Sequence, residues 1–165
     1  MLSNARNIYA TTVTIGQNAT AGKASQVKTG KINGAVNFAA DAALQALGIK
    51  RKVTTADGNG VLATTRNITG SVGANGGSLD TFGVGVNNGN VVTLGGDIYA
   101  KNVAFADGNL GNNPVGIIQV AGNLIATNIK FGQNTTTKTS GGTLEFNGKA
   151  QQQLSGQILQ GGTLF

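Results

Sequence analysis

The sequence VVTLGGDIYAKNVAFADG at residues 91–108 aligns without a gap to IIQVAGNLIATNIKFGQN at residues 117–134, an offset of 117 − 91 = 26 residues. A shorter third copy, NIYATTVTIGQN, occupies residues 7–18. Leu94, Ile98 and Val103 of the first copy match the aliphatic residues Val120, Leu124 and Ile129 of the second. Self-similarity at a fixed period of this size is typical of proteins built from stacked repeats.

Within each copy the apolar residues alternate with polar ones, which is the period of a β-strand. Ile98 and Ala100 form one alternating pair, and Val103 and Phe105 form a second pair that is shifted by one residue. The shift at Lys101–Asn102 predicts a corner, after which the next strand turns its apolar side to the same interior. One repeat is therefore predicted to be a coil of two or three short strands.

A single coil cannot cover its own apolar face, so coils must stack on one another. The sequence thus predicts an all-β protein, a right-handed parallel β-helix with irregular coils of about 20–26 residues. Stacking would place Asn102 beside Asn128 in a ladder at the corner and Phe105 beside Phe131 in the interior. Gly95–Gly96 is predicted to form another bend, because glycine tolerates the positive φ of sharp turns.

Two features depart from this pattern. Asn59–Gly60 and Asn147–Gly148 fit two-residue hairpin turns and leave an antiparallel meander or sandwich as an alternative, although neither requires a gapless repeat. The Ala-rich stretch FAADAALQALGIKRK predicts a short helix over Ala40–Leu47, with Gly48 at its end. The basic IKRK at its end is interpreted as a solvated loop.

The composition excludes much of ordinary enzymology. The 165 residues contain no Cys and no His, so thiolate and imidazole chemistry is absent. We expect one domain spanning residues 1–165, truncated at both ends because the repeats begin and end partway through a copy. We find no signal peptide and no apolar stretch of the roughly 18 residues that a membrane-spanning helix needs.

The net charge of +6 is uneven, since eight of the twelve Lys and Arg residues lie at or before Arg66. Basic charge can attract nucleic acid, but these residues are scattered and the sequence has only two Tyr, six Phe and no Trp to stack on bases. We therefore expect no specific nucleic-acid partner.

The few carboxylates are the remaining candidates for catalysis, because parallel β-helices include carbohydrate-cleaving enzymes that need clustered acids. In the predicted coils these acids fall at separate bends, and the counterparts of two of them in the next coil are amides, so we predict no catalytic, cofactor-binding or metal site. The six acids are Asp41, Asp57, Asp80, Asp97, Asp107 and Glu145.

The coils rich in Gly, Asn and Thr, and the motifs GGDIYAKNVAFADGNLG, NLIATNIKFGQNTTT and GGTLEFNGKAQQQLSGQI, resemble the passenger domains of rickettsial surface cell antigen autotransporters, the group of outer membrane proteins A and B. The resemblance covers nearly the whole chain. It implies a β-helical passenger displayed by a C-terminal membrane domain on the surface of a Gram-negative bacterium, where it adheres to host cells.

The expected function is accordingly a structural and adhesive surface module without enzymatic activity. Its expected partners are a host-cell surface protein or glycan, or another copy meeting it through exposed coil ends. Two alternatives remain open, a carbohydrate-active β-helix enzyme and a non-functional remnant of a split autotransporter gene.

Overall fold

A computed structural model of the chain describes residues 2–4, 6–16, 25–39, 42–85, 90–106, 116–131, 143–160 and 163–164. This part of the protein is all-β: it forms fifteen strands and no helix. The strands are β1 (Leu2–Asn4), β2 (Thr12–Ile15), β3 (Ser25–Thr29), β4 (Ala35–Phe38), β5 (Ala42–Ala46), β6 (Val53–Thr55), β7 (Asn59–Thr64), β8 (Leu79–Gly85), β9 (Val91–Leu94), β10 (Ile98–Ala106), β11 (Ile117–Val120), β12 (Leu124–Phe131), β13 (Thr143–Phe146), β14 (Leu154–Gln160) and β15 (Thr163–Leu164).

The strands form three sheets in which each strand pairs with strands that come much earlier or later in the chain. The largest sheet has the order β1-β3-β5-β7-β8-β10-β12-β14, and the others have the orders β9-β11-β13-β15 and β2-β4-β6. Every pairing between these strands is parallel. The antiparallel meander or sandwich is therefore excluded for the described residues, and Asn59–Gly60 begins the parallel strand β7 instead of closing a hairpin.

Period-two alternation explains why these segments are strands. In β4, Val36 and Phe38 are buried whereas Ala35 and Asn37 are partly exposed. In β8 the buried residues are Leu79, Phe82 and Val84. One face of these strands thus enters a shared apolar core.

The pairing register stacks like residues on like residues in columns that run through successive strands. One column joins aliphatic residues through isolated β-bridges. A second column crosses the largest sheet from strand to strand. The first column contains Ile8, Ile32, Ile49, Ile68 and Leu94, and the second contains Val27, Leu44, Leu62, Phe82, Val103 and Ile129. Both columns are buried except at Ile8 and Val27, which are partly exposed.

The spacing between stacked strands varies more than the sequence repeats predict. Ser25 pairs with Ala42, an offset of 42 − 25 = 17 residues. Ile98 pairs with Leu124, an offset of 124 − 98 = 26, and Leu124 pairs with Leu154, an offset of 154 − 124 = 30. The expected coil length of about 20–26 residues is therefore too narrow at both limits, since the observed offsets run from 17 to 30 residues.

The predicted helix over Ala40–Leu47 is wrong, since Ala42–Ala46 is strand β5; Ala40 and Asp41 lie outside the described residues. Ala42, Leu44 and Ala46 are buried in alternation, and β5 pairs on one side with β3 and on the other with β7. This burial and pairing outweigh the intrinsic helix preference of alanine, which is less than about 1 kcal/mol per residue over most alternatives.

The predicted break at Lys101–Asn102 is a shift of phase inside the single strand β10, so the expectation of two separate strands needs correction. Ile98, Ala100, Val103 and Phe105 are all buried, and Lys101 between the two pairs is exposed. The pairing partners run in register from Ile98 to Phe105 without a partner for Lys101. Backbone pairing continues through the shift because the neighbouring strand β12 has the same shift at its equivalent position.

Candidate functional site

The two predicted ladders between the aligned repeats are confirmed. Asn128 Nδ2 donates a hydrogen bond of 3.0 Å to Asn102 Oδ1. The rings of Phe105 and Phe131 lie with their centroids 5.5 Å apart and tilted by 42°. The first pair is partly exposed and the second is buried, so the inside and outside of β10 and β12 are assigned correctly.

The carboxylates of Asp57 and Asp97 accept hydrogen bonds from backbone N–H groups that lie 21 and 26 residues later in the chain. Asp97 Oδ1 accepts the backbone N–H of Asn123 at 2.7 Å, and Asp57 Oδ1 accepts that of Ser78 at 3.1 Å. Each acid thus satisfies a main-chain donor where the chain bends. This is a structural role.

Asn residues make the same kind of bond in two rows, with Asn7 and Asn67 in one row and Asn123 in the other. The side-chain oxygens of Asn7, Asn67 and Asn123 accept the backbone N–H groups of Lys31, Thr93 and Gln153 at 2.9, 2.9 and 2.8 Å. Asn123 is therefore acceptor and donor at once, since its own N–H binds Asp97. The alignment of Asp97 with Asn123 was the signal for their row in the sequence. Asn7 instead precedes Ile8 of the first column, whereas Asn123 precedes Leu124, which pairs with Ile98, so the alignment of Asn7 with Asn123 is wrong in the structure.

The other described acids also have neighbours of their own. Thr81 Oγ1 donates to Asp80 Oδ2 at 2.9 Å, and Gln119 Nε2 donates to Glu145 Oε2 at 3.0 Å. Asp41 and Asp107 lie outside the described residues. No group of three or more His, Cys, Asp or Glu that could hold a metal ion occurs in the described part of the chain.

A groove of about 700 Å³ is lined by four segments of chain that lie side by side, at residues 31, 47–50, 65–69 and 90–92. Three exposed cationic side chains line it, namely Lys31, Lys50 and Arg66. Among the described lining residues none is acidic and none is aromatic. Arg66 therefore faces this basic groove and does not join Asp80 or Asp97 in a common cleft.

Parallel stacking brings these cations together from distant parts of the sequence. Ile32 bridges to Ile49, and Ile49 bridges to Ile68, so their segments lie on three consecutive levels. Lys31 and Lys50 are direct neighbours of the first two isoleucines. Since adjacent strands are about 4.8 Å apart, the three levels span roughly 10 Å along the stack.

This groove could not be predicted from the IKRK motif alone, because two of its three cations lie elsewhere in the sequence. Lys50 does belong to that motif, and Arg51 and Lys52 next to it are exposed. Lys31 and Arg66, however, line the groove because their segments lie beside that of Lys50, and the irregular spacing of these segments cannot be read from the sequence repeats. The uneven charge of the first part of the chain was the available signal.

Comparisons with known proteins identify no relative. No protein-family model, no curated protein and no solved structure matches the chain. The described residues include no helix that is long and apolar enough to cross a membrane.

Proposed function

We propose that the chain is a right-handed parallel β-helix that serves as a structural and adhesive module on a bacterial cell surface, in the manner of an autotransporter passenger. The observation that carries the proposal is the uniformly parallel pairing of the long sheet, in which strands pair with strands 17–30 residues later and the register shifts only between β12 and β14. A connection between parallel strands of one sheet is right-handed in about 98% of cases, which supports the handedness.

The stacked backbone supports a scaffold role. The eight strands of the largest sheet have seven spacings between them, so the sheet extends roughly 35 Å across its strands at about 4.8 Å each. Among the residues that the structure describes, the buried columns are apolar, and the buried polar residues are the small Thr29 and Thr64. Such a structure is stiff and presents continuous faces instead of a single deep pocket.

The outer faces support a binding role. Polar side chains on adjacent turns are hydrogen-bonded to one another, which holds them in fixed rows that a partner could contact. These contacts join Asn102 with Asn128, Asn37 with Thr54, and Gln119 with Glu145.

We prefer adhesion to carbohydrate cleavage because a glycosidase needs two carboxyl groups about 5–10 Å apart across one sugar. Asp57 and Asp97 instead accept backbone N–H groups at bends, and Asp80 and Glu145 lie in different sheets. The autotransporter assignment itself rests on the sequence resemblance.

Adhesion can be tested by coating beads with the purified chain and counting the beads bound to cultured animal cells. We expect saturable binding that excess soluble chain blocks. The Phe105→Asp variant, which we expect to be unfolded, is the control for nonspecific adsorption. Binding no stronger than that of albumin-coated beads would contradict the proposal.

A further inference from the structure

The basic groove concentrates positive charge on one side of the stack. Lys31, Lys50 and Arg66 all contribute to its wall, and Arg51 and Lys52 extend the positive surface beyond it. The described lining residues contain no carboxylate that would neutralise these charges. Exposed charges of one sign in a concave surface attract an oppositely charged ligand and raise its local concentration.

The neutral part of the wall provides groups that suit sugar hydroxyls. Asn67 and Asn90 contribute amides, and Thr65 and Thr69 contribute hydroxyls. Asn67 Oδ1 already accepts the N–H of Thr93, so the amide of this exposed residue offers its Nδ2 group as a donor. Amide and hydroxyl side chains can both donate and accept, as an array of hydroxyl groups requires.

The shape of the groove also matters for the choice of ligand. Gly48 lies on the middle level, where a Cβ atom would meet Asn67 O at 2.9 Å and Arg66 Cβ at 3.2 Å. Gly48 is buried, so the segments that carry Lys50 and Arg66 pack closely at this point. A ligand that contacts all three cations must therefore extend roughly 10 Å across the stacked segments.

We propose that this groove binds a linear sulfated polysaccharide, with Lys31, Lys50 and Arg66 contacting sulfate groups. The proposal rests on the adhesive function above and names the chemistry of the partner. A polysaccharide fits better than single-stranded nucleic acid, because recognition of unpaired bases relies on aromatic side chains for stacking and the described lining has none.

The test uses heparin fragments as the probe and two charge-matched variants of the full chain. One variant combines Lys31→Gln, Lys50→Gln and Arg66→Gln in the groove. The control combines Lys101→Gln, Lys130→Gln and Lys149→Gln, which are exposed positions elsewhere. Both lower the net charge from +6 to +3, so a difference between them reports position and not total charge.

We expect isothermal titration to show that the groove variant binds heparin about tenfold more weakly, since each exposed charge contributes a factor of about two. The control variant should stay within about twofold of the natural chain, and added salt should weaken binding by screening. Equal loss in both variants would overturn the proposal. Far-UV circular dichroism and the three single groove substitutions check that the fold is intact.

Two further probes separate the possible sources of binding. Desulfated heparin should bind the natural chain weakly. A single-stranded DNA with the same charge as the heparin fragment should bind the natural chain no more tightly than it binds the groove variant. If the DNA binds the natural chain as tightly as heparin through the same three residues, the assignment to a sulfated polysaccharide is wrong.

The bead assay distinguishes failure of this inference from failure of the proposed function. Beads that adhere equally to cells with and without sulfated surface glycans would contradict the groove assignment and leave adhesion intact. A chain that binds heparin through the groove but does not adhere to any cell would contradict adhesion and leave the groove assignment intact.

Discussion

Replacement of Gly96 by alanine tests the close contact between successive turns of the chain. A Cβ atom at this position would lie 2.7 Å from Ser71 N and 2.9 Å from Gly70 C. Both atoms belong to the main chain of the preceding turn and cannot rotate away. Ordinary contact begins near 3.4 Å, so the two turns must separate locally by 3.4 − 2.7 = 0.7 Å.

That separation stretches the hydrogen bonds that join the two turns beside Gly96. Val72 N donates to Asp97 O at 2.8 Å, and Gly95 N donates to Ile68 O at 2.8 Å. Lengthened by about 0.7 Å, both would fall outside the useful range of N–H···O bonds. Overpacking of this kind costs about 1–3 kcal/mol, of which alanine regains about 0.4–1 kcal/mol by restricting the unfolded chain.

The control is Gly83→Ala on β8, where a Cβ atom would meet Leu62 O at 3.8 Å and Ala63 Cβ at 4.0 Å, which are ordinary contacts. Urea unfolding followed by far-UV circular dichroism gives the free energy of unfolding of both variants. We expect Gly96→Ala to be destabilised by about 1–2 kcal/mol and Gly83→Ala to be unchanged or slightly stabilised. Equal stability would refute the stacking of Gly96 on Gly70–Ser71.

Substitutions at three other positions test the inside and the bends of the stack. Phe105→Asp should unfold the chain by burying an unpaired charge, which lowers the free energy of unfolding by more than about 4 kcal/mol. Lys101→Asp should change it by about 0.5 kcal/mol or less. Equal effects of the two variants in circular dichroism would contradict the assignment of the buried and exposed faces. Asp97→Ala should cost about 1–3 kcal/mol by leaving the N–H of Asn123 without its acceptor. Asp97→Asn should retain most of that stability, because Asn123 makes the same bond to Gln153 N–H, and an Asn variant as unstable as the Ala variant in urea would contradict the role given to Asp97.

The sequence predicted best where the repeats align without a gap. Because these two repeats have equal length, Asn102 lies beside Asn128 and Phe105 beside Phe131. Parallel pairing and register therefore followed directly from the alignment. Elsewhere the offsets fall to 17 residues, as between Ser25 and Ala42. Where the loops between paired strands differ in length, the sequence has no fixed period that a comparison could detect.

The mistaken elements show how pairing across the stack overrides local preference. The alanines of β5 favour a helix in isolation, but Leu44 pairs with Val27 on one side and with Leu62 on the other. Gly95–Gly96 was expected to need positive φ, and neither residue has it. These glycines are required because the backbones of adjacent turns approach each other closely.

The candidate site was the least predictable feature. Individual roles for Asp57 and Asp97 at bends could be expected from residue type alone. The basic groove depends on which segments of chain lie side by side. Lys31, Lys50 and Arg66 line it together because bridges join the segments that contain Ile32, Ile49 and Ile68. Sequence proximity carries no information about such a contact.

Parallel stacking in register can be measured most directly by cross-linking, because the chain contains no native cysteine. Asn102 and Asn128 are paired partners on adjacent strands, so cysteines at both positions meet the distance of about 4.4–6.8 Å between Cα atoms that a disulfide needs. Cysteines at Asn102 and Lys130 are two residues out of register and more than about 7 Å apart. The account predicts rapid, complete oxidation of the first pair and little of the second, as measured by mass spectrometry; efficient cross-linking of the second pair, or none of the first, would contradict it.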